Sequence, residues 1–243
     1  MPAAASIDQL RSVVRTMLDE RATSDALAAY YALYHPADKT DLFVYPDVSA
    51  GPARGFLVRA RTGMDLFRPL VTARISDDET AQALFERGLI AGRPVYLTLP
   101  VEQAGWAGKY LHVSDTELHR IYRYAPENYQ SEINVLVVTS TGADGLPRCE
   151  IRAGDRAGAV AGINWQSPRY AELYVYTDPA VRGRGWGKSV VRALVGLILK
   201  AGRLPLYVVA ESNEYSIRLA EAVGFVDTGQ REYVGQAIRA AHG

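Results

Sequence analysis

The chain has 243 residues, with 27 Lys or Arg against 27 Asp or Glu, so it carries no net charge at neutral pH when its four histidines are neutral. That balance excludes a global attraction to nucleic acid or to an anionic bilayer, and any preference for anions has to be local. A single cysteine, Cys149, excludes an internal disulfide framework and a cysteine-rich metal site.

The length suits two units of roughly 120 residues each. The N-terminal stretch lacks the basic segment and long apolar run of a secretory signal. The longest apolar run, Val190 to Leu199, is interrupted by Arg192 and is shorter than the ~20 residues that span a bilayer. A cytoplasmic protein without a membrane anchor is therefore expected. None of His35, His112, His119 and His242 has a histidine partner at the spacing of a helical zinc site, and no metal is expected.

In chain order, Ser6 followed by Gln9 reads as a capping box, and Leu10, Val13, Val14, Met17 and Leu18 share one helical stripe after it. A second helix starts at Ser24-Asp25, buries Leu27, Tyr30, Tyr31 and Tyr34, and stops at His35-Pro36. Short β-rich runs follow at Leu42 to Tyr45, Gly55 to Arg61 and Phe67 to Ala73. A helix over Asp78 to Arg87, capped by Ser76 or Asp77, leads to a strand at Pro94 to Leu99. Residues 101 to 108 contain glycines and read as irregular, and Glu117 to Tyr124 as a strand.

The second unit opens with strands at Ile133 to Val138, Arg148 to Ala153 and Ala159 to Trp165, with Gly154-Asp155 as a hairpin turn. A strand at Ala171 to Thr177 enters the run Arg182-Gly-Arg-Gly-Trp-Gly187, and a helix over Arg184 to Ala201 leaves it and ends at Gly202. A strand at Leu206 to Ala210, a helix over Glu214 to Val223 ended by Gly224, and a strand pair near Phe225 to Val234 complete the chain.

The glycine run is the most telling feature. Glycines at 183, 185 and 187 let successive backbone N–H groups turn toward one anion, and the following helix adds its positive end. A tight turn also needs glycine, so the flanking residues decide the reading.

Two flanking motifs do so. One is a strand and proline before Arg-x-x-Gly-x-Gly, here Val175-Tyr-Thr-Asp-Pro179-Ala-Val-Arg182-Gly-Arg-Gly185-Trp-Gly187. The other is an Asn-led helix ending in Gly-Phe, here Asn213 to Gly224-Phe225. Together they make residues 159 to 234 resemble the GNAT superfamily of acyl-CoA-dependent N-acyltransferases. The resemblance implies an α/β fold, an α+β sandwich with a central mixed sheet flanked by helices and splayed strands at the cofactor site. The helix pair and element order of the first unit imply a tandem arrangement, with residues 1–125 a degenerate GNAT-like domain as in glycine N-acyltransferase-like proteins, and 126–243 the acyl-CoA-binding domain. Where the first unit should carry its own turn, residues 67 to 78 contain no glycine and place Asp77 and Asp78 at the helix start, which repels phosphate. One cofactor site per chain follows.

By position, the resemblance maps the pantetheine arm of acetyl-CoA onto Val175, Tyr176 and Thr177. It maps the pyrophosphate onto Arg182, Gly183, Arg184, Gly185, Trp186, Gly187, Lys188 and Ser189, with further contacts from Asn213 and Ser216. Trp186 is also suited to packing, and Asn213 to capping its helix. Many family members place a proton-donating tyrosine where this chain has Ala220. General acid catalysis is worth about 10²–10⁴-fold, so another group, Ser212, Ser216 or Tyr215, has to donate, or the thiolate leaves unaided, or catalysis has been lost. Candidate bases are Glu172, one residue from the family position at Ala171, and Glu211. Tyr174 and Tyr176 could line the acceptor pocket.

The expected activity is transfer of acetyl from acetyl-CoA to a small-molecule or peptide amine by direct attack in a ternary complex, by a monomer or homodimer. The alternatives are a non-catalytic acyl-CoA-binding or sensing module and a glycine-type N-acyltransferase using longer acyl groups. Cys149 is expected to be structural.

Overall fold

Ser6 caps the first helix of the computed structural model, which describes residues 5–63, 65–130, 134–142 and 144–240. Ser6 Oγ accepts from Gln9 N at 3.3 Å while Gln9 Oε1 accepts from Ser6 N at 2.8 Å, so two amides that the helix itself leaves unpaired are satisfied. The helix, α1 (Ile7–Arg15), ends earlier than its apolar stripe suggests. Helix α2 (Ala26–Ala29) runs on as a π turn (Tyr30–Tyr34) and stops at His35, where Pro36 disfavours a helical conformation.

The chain divides into two compact units, Met1–His119 with Gln230–Gly243, and Arg120–Gly229. This differs from a single cut near residue 125. Residues 232–238, in the second half of β11 (Phe225–Ile238), pair with β4 (Pro94–Pro100) of the first unit, from Glu232 opposite Pro100 to Ile238 opposite Pro94.

In the first unit β1 (Thr40–Tyr45), β2 (Gly55–Ala60) and β3 (Leu70–Ile75) form an antiparallel meander. α3 (Asp78–Gly88) then crosses to β4, which runs parallel to β3. The third strand begins at Leu70 rather than Phe67 because Asp65 Oδ1 accepts the amides of Phe67 and Arg68 at 2.8 and 3.0 Å, which withholds both from a ladder. The stretch 101–108, expected to be irregular, enters α4 (Ala104–Tyr110) at Ala104. Ala107 is fully buried there and Trp106 and Tyr110 pack on the same core, so tertiary burial outweighs two glycines of poor helix propensity.

In the second unit β6 (Val138–Thr141), β7 (Pro147–Ala153), β8 (Arg156–Gln166) and β9 (Tyr170–Thr177) are successive antiparallel neighbours. α5 (Trp186–Lys200) crosses over to β10 (Leu204–Ala210), parallel to β9, and α6 (Glu214–Val223) leads into β11. The strand expected from Ile133 is a correction. Ile133 lies outside the described residues, Val137 N closes a turn on Asn134 O at 3.0 Å, and pairing starts at Val138. The expected final strand pair is also corrected: β11 is one strand of 14 residues that continues through Gly229. β5 (His112–Tyr124) likewise starts earlier than its expected beginning at Glu117.

Both units thus carry a β-α-β crossover joining a parallel pair, β3-α3-β4 and β9-α5-β10, with a mixed sheet and flanking helices in each. No helix among the described residues is long and apolar enough to cross a membrane.

α5 holds the second unit together. Val190, Val191, Leu194, Val195 and Ile198 form a stripe at helical spacing buried on the sheet. The helix ends where Gly202 takes φ +75°, with Gly202 N on Leu199 O and Arg203 N on Ile198 O, the paired bonds of a Schellman cap. Leu194 is fully buried in this cluster. Leu194→Ala is expected to cost about 2–5 kcal/mol of unfolding free energy, measured by chemical denaturation. Cys149 is buried in the same core, where burial pushes its thiol up, away from the reactive thiolate.

Candidate active site

The turn between β9 and α5 combines three features that a glycine run alone does not guarantee. Gly183 and Gly185 adopt φ of +80° and +78°, a region that side-chain-bearing residues rarely enter, so the chain can reverse within a few residues. Gly185 is the N-cap of α5 and brings no side-chain cap, unlike Ser6, Asp77 and Asn213 at the other long helices. The amides of the first turn, which have no partner within the helix, therefore face a cavity of about 350 Å³ with the helix dipole behind them.

Thr177, Val181, Gly183, Gly185, Trp186, Gly187, Lys188, and on α6 Tyr215, Arg218 and Leu219 line that cavity. Thr177 Oγ1 is buried and, among the described residues, is the buried side-chain oxygen with no hydrogen-bond partner. A buried hydroxyl without a partner costs about 1–3 kcal/mol, which a ligand that bonds to it removes. Gly187 keeps the space open: a Cβ there would stand 2.8 Å from Thr177 Oγ1. These residues fit a phosphate-bearing ligand that enters over α5 and runs inward along β9.

The residues expected to bind do not all meet there. Ser189 faces elsewhere: its amide bonds Gly185 O at 3.1 Å and its Oγ accepts from Asn134 Nδ2 at 2.9 Å. The Arg182 guanidinium lies over the Tyr215 ring at 5.2 Å and that of Arg184 over Trp186 at 5.7 Å. Trp186 both lines the cavity and packs on Gly158, where a Cβ would meet the indole Cζ3 at 2.5 Å. Gly158→Ala is expected to displace the indole and weaken nucleotide-ligand affinity about tenfold, or ~1.4 kcal/mol, read by calorimetry. Arg218 escaped sequence reading. Its position three residues after Tyr215 on α6 is the signal that places both on one face.

Inward from the turn, β9 and β10 part. Their ladder holds Tyr170, Ala171 and Glu172 opposite Leu204, Pro205 and Leu206, and no further pair forms among the described residues. From Leu173 to Thr177 one edge of β9 stays bonded to β8 while the other faces the gap. Alternation then assigns two faces. Ala171 and Leu173 are buried in the α5–α6 core, Val175 packs against it, and Thr177 lines the cavity. Glu172, Tyr174 and Tyr176 point to the opposite face, so Tyr176 does not line the cavity. Tyr174 lies over its cross-strand partner Gly162, and Tyr176 is 54% exposed.

Glu172 sits where the ladder ends. It is 8% exposed, and its carboxylate accepts from Asn164 Nδ2 at 2.9 Å and from Trp165 Nε1. The register between β8 and β9 shifts between Ile163 and Trp165, so Asn164 is an extra residue that turns its amide toward Glu172. Burial pushes this carboxyl above the ordinary carboxylate range, and the two N–H donors oppose the shift without cancelling it. Glu211, the other expected base, accepts from Arg120 Nε at 3.2 Å, and Arg120 also stands 3.8 Å from Asp227.

On α6 Asn213 Oδ1 accepts from Ser216 N at 3.1 Å, the capping role considered for it. Neither Asn213 nor Ser216 is among the residues that line the cavity. Ala220 is fully buried against the α5–α6 core. Tyr215 stands at the turn end of the cavity, beside Arg182, rather than at the gap between the strands.

The equivalent place in the first unit is closed by the chain itself. The β3–β4 ladder also stops early, after Leu70 and Val71 opposite Tyr96 and Leu97. There Gln103 Oε1 accepts the Ile75 amide at 3.2 Å. Asp77 caps α3 through Thr80 N at 2.9 Å and pairs with Arg54 Nη2 at 2.7 Å, so a carboxylate already takes the anion position at the helix start. Hydrogen bonds from Ser76, Thr80 and Arg54 hold Asp77 well below the ordinary carboxylate range.

Comparison with known proteins bears on the fold. Residues 151–234 match the family model described as FR47-like protein. Among solved structures, a putative GNAT-family acetyltransferase from Novosphingobium aromaticivorans superimposes with a TM-score of 0.58 at 17% identity, over 76% of this chain and 89% of that one. A GCN5-related N-acetyltransferase-like protein from Streptococcus suis gives a TM-score of 0.61 at 13% identity, over 96% and 100%. A tandem GNAT protein from the clavulanic acid biosynthesis pathway gives 0.60 at 15%, over 100% and 98%. No curated protein is a significant match to the sequence. At such identities the shared property is the fold, which is that of GNAT acetyltransferases, with an FR47-like segment at 151–234.

Proposed function

We propose that this GNAT-fold chain is an acyl-CoA-dependent N-acyltransferase whose single site lies in the second unit and which transfers acetyl to an amine. The observation that carries the reading is the unpartnered, buried Thr177 hydroxyl at the end of a strand that has parted from its neighbour, beside an uncapped helix start. An anion at the helix start and an amide arm against the free edge of β9 use all three features at once.

Acetyl-CoA supplies an activated acyl group as a thioester. The amides of residues 183 to 188 bind its diphosphate, with Lys188 and Arg218 adding charge at the cavity wall. Free backbone groups of β9 from Leu173 to Thr177 hold the arm, and an amide at the gap stabilises the developing oxyanion. Glu172 lies on the face of β9 opposite the cavity, so it meets an amine that approaches through the gap from the other side and takes its proton. Its raised affinity for protons suits that task better than the ion-paired Glu211. Direct attack needs no nucleophilic side chain, and the buried Cys149 is not used.

Thiol release from acetyl-CoA, followed across a panel of primary amines with this chain, tests the proposal. Turnover with an intersecting initial-velocity pattern is expected. Preference for octanoyl or benzoyl thioesters would reassign the acyl group. Binding without release for any amine would favour the alternative that Ala220 motivates, a non-catalytic acyl-CoA-binding module.

A further inference from the structure

The first unit carries a cavity of its own, at the end of its sheet away from the closed position around Asp77. It measures about 410 Å³, within the usual range of small-molecule pockets, and lies where β1, β3 and β4 begin, beside the loop that joins β2 to β3. No step of the proposed acyl transfer uses it.

The rim of this cavity is apolar and open to water. Leu66 and Phe67 are each 88% exposed, and Ile90, just beyond α3, is half-exposed. The turn that presents the first two is braced by Asp65. Its Oδ1 accepts the amides of Phe67 and Arg68, and its Oδ2 accepts from Arg68 Nε at 2.6 Å. Large apolar side chains grouped in water around a concave surface mark a binding site more often than a lone exposed leucine does.

The charge at the same rim is unbalanced. Lys39, Arg59, Arg61 and Arg93 line the cavity against two carboxylates, Asp41 and Asp65. Asp41 is shared by Arg59 at 3.1 Å and Arg61 at 3.8 Å, while Asp65 is taken by Arg68 and the turn amides. Lys39 and Arg93 form no ion pair among the described residues. The carbonyl end of α3, which would repel an anion, is covered. Arg59 Nη1 donates to Gly88 O at 3.0 Å, and Arg239 Nε donates to Leu89 O at 3.1 Å. Positive charge from Lys39, Arg61 and Arg93 is thus left to face a ligand beside three exposed apolar side chains.

We propose that this cavity binds an amphipathic carboxylate, a medium-chain acid with one anionic head and an apolar tail. The planar guanidinium of Arg93 matches a carboxylate with two parallel N–H groups, and Lys39 and Arg61 add charge beside it. Leu66, Phe67 and Ile90 close over the tail and leave water in doing so, which an acid without a tail cannot bring about. The site lies in the first unit and stands or falls independently of the acyl-transfer reading.

Calorimetric titration of the full chain with octanoate tests it, with acetate and octylammonium as comparators. One octanoate per chain is expected. Acetate, which lacks the tail, and octylammonium, which carries the wrong charge, are each expected to bind at least tenfold more weakly. Arg93→Glu is expected to weaken octanoate at least tenfold and Phe67→Ser about fivefold. Both side chains are exposed, so melting temperatures stay within a few degrees of the parent. Gly187→Val in the second unit leaves octanoate binding unchanged. No octanoate binding would overturn the proposal, as would binding that survives both first-unit variants or an equal affinity for octylammonium. Sedimentation with phosphatidylglycerol vesicles that both variants abolish, in a chain that does not bind octanoate, would overturn it in favour of a lipid surface.

Discussion

Replacing Gly187 with valine is expected to weaken acetyl-CoA binding at least 100-fold, about 2.7 kcal/mol, without unfolding the chain. A Cβ at this position would lie 2.8 Å from Thr177 Oγ1 and 3.6 Å from Leu219 Cδ2, both on the cavity wall. The two further methyls of valine extend into the space that the ligand needs. The helix itself tolerates the change, because glycine is a poorer helix former than valine. Loss of binding with a melting temperature within a few degrees of the parent is the expected pair of results, from calorimetry and thermal melting of the same sample. An affinity within tenfold of the parent would mean that the phosphates sit elsewhere.

The second large effect is at Glu172. Glutamine keeps the shape and can still accept from Trp165 Nε1, while its NH₂ faces Asn164, whose amide can rotate to accept in turn. The base is lost and the packing is not, so kcat is expected to fall by about 10²–10⁴-fold with little change in affinity for acetyl-CoA. The pH dependence has a definite sign. Burial raises this carboxyl above its ordinary value of 4.5, so it gains its charge, and activity rises, only above the usual carboxylate range. Stability runs the other way: a group with a raised folded pKa stabilises fully below its unfolded pKa, and that contribution is lost as pH rises through the folded one. Glu172→Gln should remove both the rising limb of the rate profile and this loss of stability. An unchanged profile would assign the proton to another group.

Much of this site was legible because its chemistry lies in local rules. Pro179, the three glycines and the apolar stripe of α5 specify a strand, a turn and a helix with no long-range information, and the Asn213 cap and Gly224 stop do the same for α6. The acids at the start of α3 announced a closed counterpart, and Asp77 caps that helix and pairs with Arg54.

What the sequence did not disclose depends on contacts between distant segments. The shift at Asn164 has no glycine or proline to mark it, yet it brings the Asn164 amide to Glu172. Ser189 has the right spacing for the phosphate turn but is turned aside by Asn134, 55 residues earlier. The glycines of α4 suggested a loop because the burial of Ala107 is decided by strands elsewhere in the sequence. β11 looked like two strands because Gly229, with φ +77°, carries a turn signal that the ladder overrides.

One phosphate-binding site per chain, in the second unit, is tested most directly by calorimetric titration of the full chain with acetyl-CoA. Saturable binding at one molecule per chain, abolished by Gly187→Val and unaffected by Asp77→Asn in the closed counterpart, is the predicted result. No heat of binding with acetyl-CoA or with longer acyl thioesters would contradict it, as would a second equivalent of ligand that disappears with Asp77→Asn.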